Sequence, residues 1–196
     1  MKKELTRIVL SLAFIGTTLV AAGVPSYETN VKSLVGIEGG YSSLDYNKNS
    51  QVIQSVSLSN LGLKLGAETK DFRVFLSGRY FYDSTAEYEY LTTYGGEIQY
   101  KFNPSKAFNF FIGVNGGFAS MRFDPAADNF GPRSVSGPYF GGDLGANIHL
   151  GREMDLELGG RVMSIQATHT SATYGDYNIG NIVSVYASLI FKWTMD

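Results

Sequence analysis

His169 and Ser171 stand two residues apart in ATHTSATYGDYN (167–178), so one short stretch carries an imidazole and a hydroxyl. A histidine in reach of a serine takes the hydroxyl proton and turns the oxygen into a nucleophile toward an ester, provided an acidic group holds the ring. Asp176 and Asp155 are the carboxylates to consider for that third role. The plainer reading of the same residues is a solvated loop, because Ser, Thr, Asn and Asp favour turns whether or not they react. No catalytic residue is assigned on this basis.

Other chemistries have less to work with. The chain holds two His and no Cys, which leaves no transition-metal cluster in view. Asp124, Asp128 and Asn129 offer oxygen to Ca²⁺ but lack the spacing of a dedicated calcium loop. His149 falls on the polar face of its stretch and reads as an interior hydrogen-bond partner. The Gly-Gly pairs at 39–40, 95–96, 116–117, 141–142 and 159–160 lie inside apolar-alternating runs with no helix following, so they are not phosphate loops. Close packing and bending in a small barrel account for them better. Neither a cofactor nor a metal site is assigned.

The elements that carry these residues come next. MKKELTR followed by the uncharged IVLSLAFIGTTLVAA (8–22) reads as a secretory signal peptide over 1–22, with Val20 and Ala22 as the small residues before cleavage. Residues 23–32 form a short extension and 33–194 a single domain. Without Lys2, Lys3, Arg7 and Glu4, the chain's 16 basic and 18 acidic residues become 13 against 17. A mildly acidic chain has no basic stripe for nucleic acid. An exported chain without Cys is held by burial and backbone hydrogen bonds alone.

Apolar residues recur at every second position in eight stretches, 33–43, 54–67, 72–83, 90–102, 107–121, 137–150, 154–166 and 180–194. Tight connections at 68–71, 103–107 and 151–153 alternate with longer polar ones at 44–53, 83–89, 122–136 and 167–179. Short turns at one end and long loops at the other are the arrangement of a membrane barrel. The apolar faces, such as Leu61, Leu63, Leu65 and Ala67, carry no charge. The opposite faces hold Glu38, Glu97, Asp143, Asp155 and Glu157 against Lys64, Arg73, Arg79, Lys101, Arg161 and Lys192. Near-balance of sign suits an enclosed interior, where an unpaired charge is costly.

Aromatic residues gather at the ends of the apolar faces. Tyr41, Tyr80, Tyr82, Tyr94, Phe118 and Phe140 lie near the long connections, and Phe72, Tyr100, Phe102, Phe108, Phe191 and Trp193 near the tight ones. Two aromatic girdles around an aliphatic band mark a barrel whose outer face meets lipid. In hydrocarbon the strands must close so that every backbone group is bonded. Eight strands leave a lumen just wide enough for side chains. The expected fold is therefore an all-β, eight-stranded antiparallel up-and-down transmembrane β-barrel with a filled polar interior and no continuous pore.

The opening strand SLVGIEGGYSSL, the glycine-rich even-numbered strands and the ending YASLIFKW resemble the small eight-stranded outer-membrane β-barrels of Gram-negative bacteria, the OmpA/OmpX-like group. The resemblance spans nearly the whole mature chain. It implies a cell outer-membrane location, a surround of outer-membrane lipid and lipopolysaccharide, and insertion by the barrel-assembly machinery, with Phe191 and Trp193 at the alternating aromatic positions of the C-terminal signal. Ser188 stands where such chains often have Gly, and Thr194–Asp196 follow the last aromatic. It implies a structural or surface-recognition role through four long external loops with a possible external ligand, and no enzyme. Outer-membrane lipid A deacylases also resemble the chain in carrying a His-x-Ser pair on a late strand, which gives His169 and Ser171 as an alternative ester-cleaving pair. The Asn and Glu of that group have no counterpart, and Ala172 follows the serine. A soluble periplasmic, lipocalin-like carrier with a dry interior is the remaining alternative.

Overall fold

The computed structural model describes residues 31–48, 51–82, 88–103, 105–123, 133–171 and 175–194, with the backbone alone at 46–48, 51–55, 88–89, 123, 133, 168–171 and 175–179. The signal peptide expected over 1–22 lies outside the described residues. Eight strands follow one another: β1 Lys32–Lys48, β2 Gln51–Glu68, β3 Phe72–Tyr82, β4 Tyr88–Phe102, β5 Phe108–Phe123, β6 Arg133–His149, β7 Met154–Ser171 and β8 Gly175–Thr194. Each pairs antiparallel with the next, and β8 closes onto β1. Stepping across Cα partners from Ser33 leads through Ala67, Val74, Ile98, Val114, Gly142, Val162 and Val183 back to β1 at Ser43, a displacement of ten residues. Such a stagger tilts the strands by about 40° and leaves room inside for side chains only.

The alternation of the sequence maps onto the two faces of this wall. Leu63 is 65% exposed and Ile112 55%, whereas Glu38 is 0% and Arg161 2% exposed. A soluble carrier with a dry interior requires the reverse, so that alternative fails here. The tight connections sit at one end. At the first, the Thr69 backbone N–H donates to Phe72 O at 2.8 Å and the Phe72 N–H returns to the Thr69 hydroxyl at 3.2 Å.

At the other end the strands run further than the sequence alone suggests. Residues 44–48, 51–53, 88–89, 122–123, 133–136, 167–171 and 175–179, expected in long loops, are strand. The physical reason is an exchange of faces. On β1, Tyr41 is exposed to lipid, but Ser43 is the next outward residue and Leu44 turns inward, fully buried. On β2, Val56 and Leu58 are buried between the outward Ser57 and Ser59. On β7, Val162 is exposed while Met163 and Ile165 are buried beside Ser164 and Gln166. Outward polar residues gave these segments a loop-like composition, yet the period of two continues through them.

Glycine is required at particular places in the wall. A Cβ on Gly159 would come 2.6 Å from the Tyr186 ring, and one on Gly95 2.2 Å from Gly116 O and 2.6 Å from the Tyr139 hydroxyl. Inward glycines thus make room for large side chains of neighbouring strands. The outward Gly78 has nothing within 4 Å.

Candidate functional site

The lumen is filled in two tiers. The lower tier is ionic and is organised around Glu38 of β1. Arg161 on β7 donates from Nη1 to Oε1 at 2.8 Å and from Nη2 to Oε2 at 3.1 Å, Arg79 on β3 donates from Nε at 2.9 Å, and Lys64 on β2 stands 3.0 Å away. Glu97 on β4 accepts from Arg79 at 2.7 Å and from Gln99 at 2.8 Å. Glu157 on β7 accepts from Lys64 at 2.7 Å. The Tyr186 ring is within reach of two cations, 4.7 Å from Lys64 Nζ and 4.2 Å from Arg161 Cζ, and its hydroxyl donates to Asp143 at 3.3 Å. Charge on the ring face adds attraction that a bare cavity lacks.

Nearer the tight turns a second ionic group is centred on Arg73. It donates to Glu68 at 2.8 Å, to Asn147 at 2.6 Å and to Asp155. Lys101 reaches Glu68 at 3.0 Å, and Lys192 reaches Asp155 at 2.8 Å. His149 Nδ1 lies 2.7 Å from Asp155, and its Nε2 lies 3.3 Å from the Asn109 amide, so His149 is the interior hydrogen-bond partner its position suggested. Glu68, assigned to a turn by sequence, is buried in this group. Among the described residues it brings the lumen to six acidic against six basic side chains.

The upper tier is apolar and was not foreseen. All eight strands contribute: Leu44, Leu58, Phe81, Leu91, Met121, Val135, Met163 and Ile182 are among its buried members. The filled interior is therefore hydrocarbon at the loop end and mainly ionic below, where Leu34, Phe75 and Ile190 form a smaller apolar cluster among the charges. Asn60 Oδ1, Thr93 Oγ1 and Arg161 Nε, each two residues along its strand from a member of this layer, have no hydrogen-bond partner among the described residues and mark the seam. The signal in the sequence was the inward alternation at Leu44, Val56 and Leu58 inside an otherwise polar stretch.

The candidate pair His169 and Ser171 is placed only as backbone. His169 stands across from Tyr177, Thr170 from Asp176 and Ser171 from Gly175 at the loop end of β7 and β8. Their side chains, and those of Asp176, are outside the described residues, as are Asp124, Asp128 and Asn129. Asp155 is excluded as the orienting acid. It sits at the opposite end of β7, committed to Arg73, His149 and Lys192.

The fold has counterparts among solved structures. Neisserial surface protein A superposes with a TM-score of 0.64 at 13% identity, over 81% of this chain and 97% of that one. The outer membrane protein OprG of Pseudomonas aeruginosa superposes with a TM-score of 0.54 at 12% identity, over 87% of this chain and all of that one, 100%. No family model and no curated protein sequence matches the chain. Fold and surface together make it an integral β-barrel of the outer-membrane type.

Proposed function

We propose that this barrel is closed to solutes and works at the cell surface, as a structural or recognition element presented on its loop-end strands. The observation that carries this reading is the filled lumen: an apolar layer drawn from all eight strands above an ionic tier whose central members, Glu38, Lys64, Arg79, Glu97 and Arg161, are 0–3% exposed. Strand extensions above the girdle give binding chemistry a rigid support, the usual relation between a scaffold and the segments that recognise partners. Exposed Phe191 and Trp193 on β8 suit docking to an assembly machinery during insertion.

Purified protein reconstituted in a planar lipid bilayer tests the reading. The expected record is free of sustained conductance steps, and a steady conductance typical of a water-filled channel overturns it. The His169 and Ser171 pair is checked separately: alanine at either position leaves the acyl chains of lipid A unchanged by mass spectrometry, and a change in acylation on losing either side chain would make the barrel an enzyme.

A further inference from the structure

The exchange of faces at the loop end is not uniform around the barrel. On β7 and β8 the outward apolar run ends at Val162 and Val183, and Ser164, Gln166 and Asn181 follow above them. On β3 and β4 tyrosine continues upward instead. Tyr82 and Tyr90 lie past the girdle, and the Tyr80 ring stacks on both, with centroids 6.4 and 6.0 Å apart. Tyr82 stands directly across from Ser59 of β2, so the chemistry of the wall changes between adjacent strands. Tyr80 itself belongs to the girdle, where Tyr94 stacks on Phe118 at 6.0 Å. The tyrosine column is therefore continuous with the lipid-facing surface.

In an eight-stranded ring β3 faces β7 and β4 faces β8. The stagger raises each strand a little over one residue above the last. With that allowance Tyr82 and Tyr90 stand about three residues higher on the barrel than Val162 and Val183. At the turn end the outward apolar run closes at Phe72 and Phe102 on β3 and β4, about one residue higher than at Met154 and Trp193 on the strands opposite. Both borders of the apolar surface thus rise on the same side. A bilayer has two parallel faces, so borders that rise together match a slab crossing the barrel obliquely. Tyrosine suits the raised border, because its ring is apolar and its hydroxyl keeps hydrogen bonds at the headgroup level. We propose that the tyrosine column of β3 and β4 is a membrane-interface surface that seats the barrel obliquely. It sinks the β3–β4 wall at the loop end and lifts the wall of β7 and β8 clear of the lipid. The inference rests on the barrel spanning a bilayer and is independent of whether its lumen conducts.

Nitroxide labels on single cysteines test it, in phosphatidylcholine vesicles holding the purified barrel. Thr92 of β4 and Ser164 of β7 are both outward and half-buried, and they stand at one level once the stagger is allowed for. Collision with dissolved oxygen, relative to collision with a water-soluble nickel chelate, reads the depth of each label. A border displaced by about two residues puts the Thr92→Cys label about 5 Å deeper than the Ser164→Cys label. Tyr82→Ser with Tyr90→Ser should bring the two labels to one depth. Tyr90→Ser alone should close part of the gap, and serves if the pair does not fold. Equal depths in the parent overturn the proposal. So does a gap that survives loss of the tyrosines, or one that shrinks at low protein-to-lipid ratio as contact between copies would. A Thr92→Cys label shielded from oxygen and nickel alike assigns the tyrosines to a protein contact and overturns it too. A Leu63→Cys label in the aliphatic band should read hydrocarbon; contact with water there removes the spanning barrel and the proposal with it.

Discussion

Arg161 grips both carboxylate oxygens of Glu38 from across the lumen, at 2.8 and 3.1 Å, joining β7 to β1 where both side chains are sealed from solvent. Removing Arg161 leaves Glu38 to Arg79 and Lys64 and the lumen one cation short, six acidic side chains against five basic. Arg161→Met should cost about 3–5 kcal/mol of stability. Adding Glu38→Gln returns the lumen to five acidic against five basic side chains and should recover part of that loss. Urea unfolding in detergent micelles, followed by tryptophan fluorescence of Trp193, measures both; a double variant no better than the single one contradicts the account.

Met163 and Ser164 are sequence neighbours on opposite sides of the exchanged wall, the first fully buried and the second outward. Asn at 163 loses apolar burial and strands an amide in hydrocarbon, at about 3 kcal/mol. Asn at 164 changes one polar surface residue for another and should stay within about 0.5 kcal/mol. The pair of unfolding midpoints decides the point, and equal effects would mean the faces do not exchange.

Glycine tolerance should divide by face. Gly159→Ala drives a methyl into the Tyr186 ring at 2.6 Å and displaces it from its contacts with Lys64 and Arg161, whereas Gly78→Ala meets nothing within 4 Å. The first is expected to lower stability by about 1–3 kcal/mol and the second to leave it level or raise it. The temperature at which the folded band converts to the unfolded one on gels reads the difference.

The waterline at the loop end can be mapped with single cysteines, since the chain has none of its own. Ser57→Cys and Ser136→Cys should react with a membrane-impermeant maleimide in intact vesicles. Leu63→Cys and Val114→Cys, in the aliphatic band, should react only after the bilayer is dissolved. Protection at Ser57 and Ser136 would place the boundary higher up the strands than the change of residues does.

Strand existence, strand number and the assignment of faces were legible in the sequence, because lipid outside and ions inside give the period of two its largest contrast. Leu63 and Lys64, or Ile98 and Glu97, differ so sharply that neither face is ambiguous. Legibility failed where the contrast reversed. LDYNKNSQV looks like a loop because its polar residues outnumber Leu44, the buried residue that betrays a strand there. Glu68 was missed for a different reason. It lies beside a turn, and only the register that sets it across from Arg73 shows that it belongs inside. The partners of each charge were beyond reach as well: Glu38 and Arg161 are 123 residues apart, and nothing short of the closed ring brings them together.

Closure of β1 on β8 makes the first and last strands of the chain immediate neighbours, with Leu34 across from Lys192 and Ile37 from Leu189. Assembly therefore cannot be completed piecemeal. A nascent chain ending before β8 has an open edge of unpaired amides and carbonyls on β1 and on β7, which hydrocarbon does not tolerate. It also lacks Lys192, one of the counter-ions of Asp155. Commitment to the bilayer must wait for the final twenty residues of β8, so a premature stop near the carboxyl terminus should abolish the whole molecule instead of trimming it.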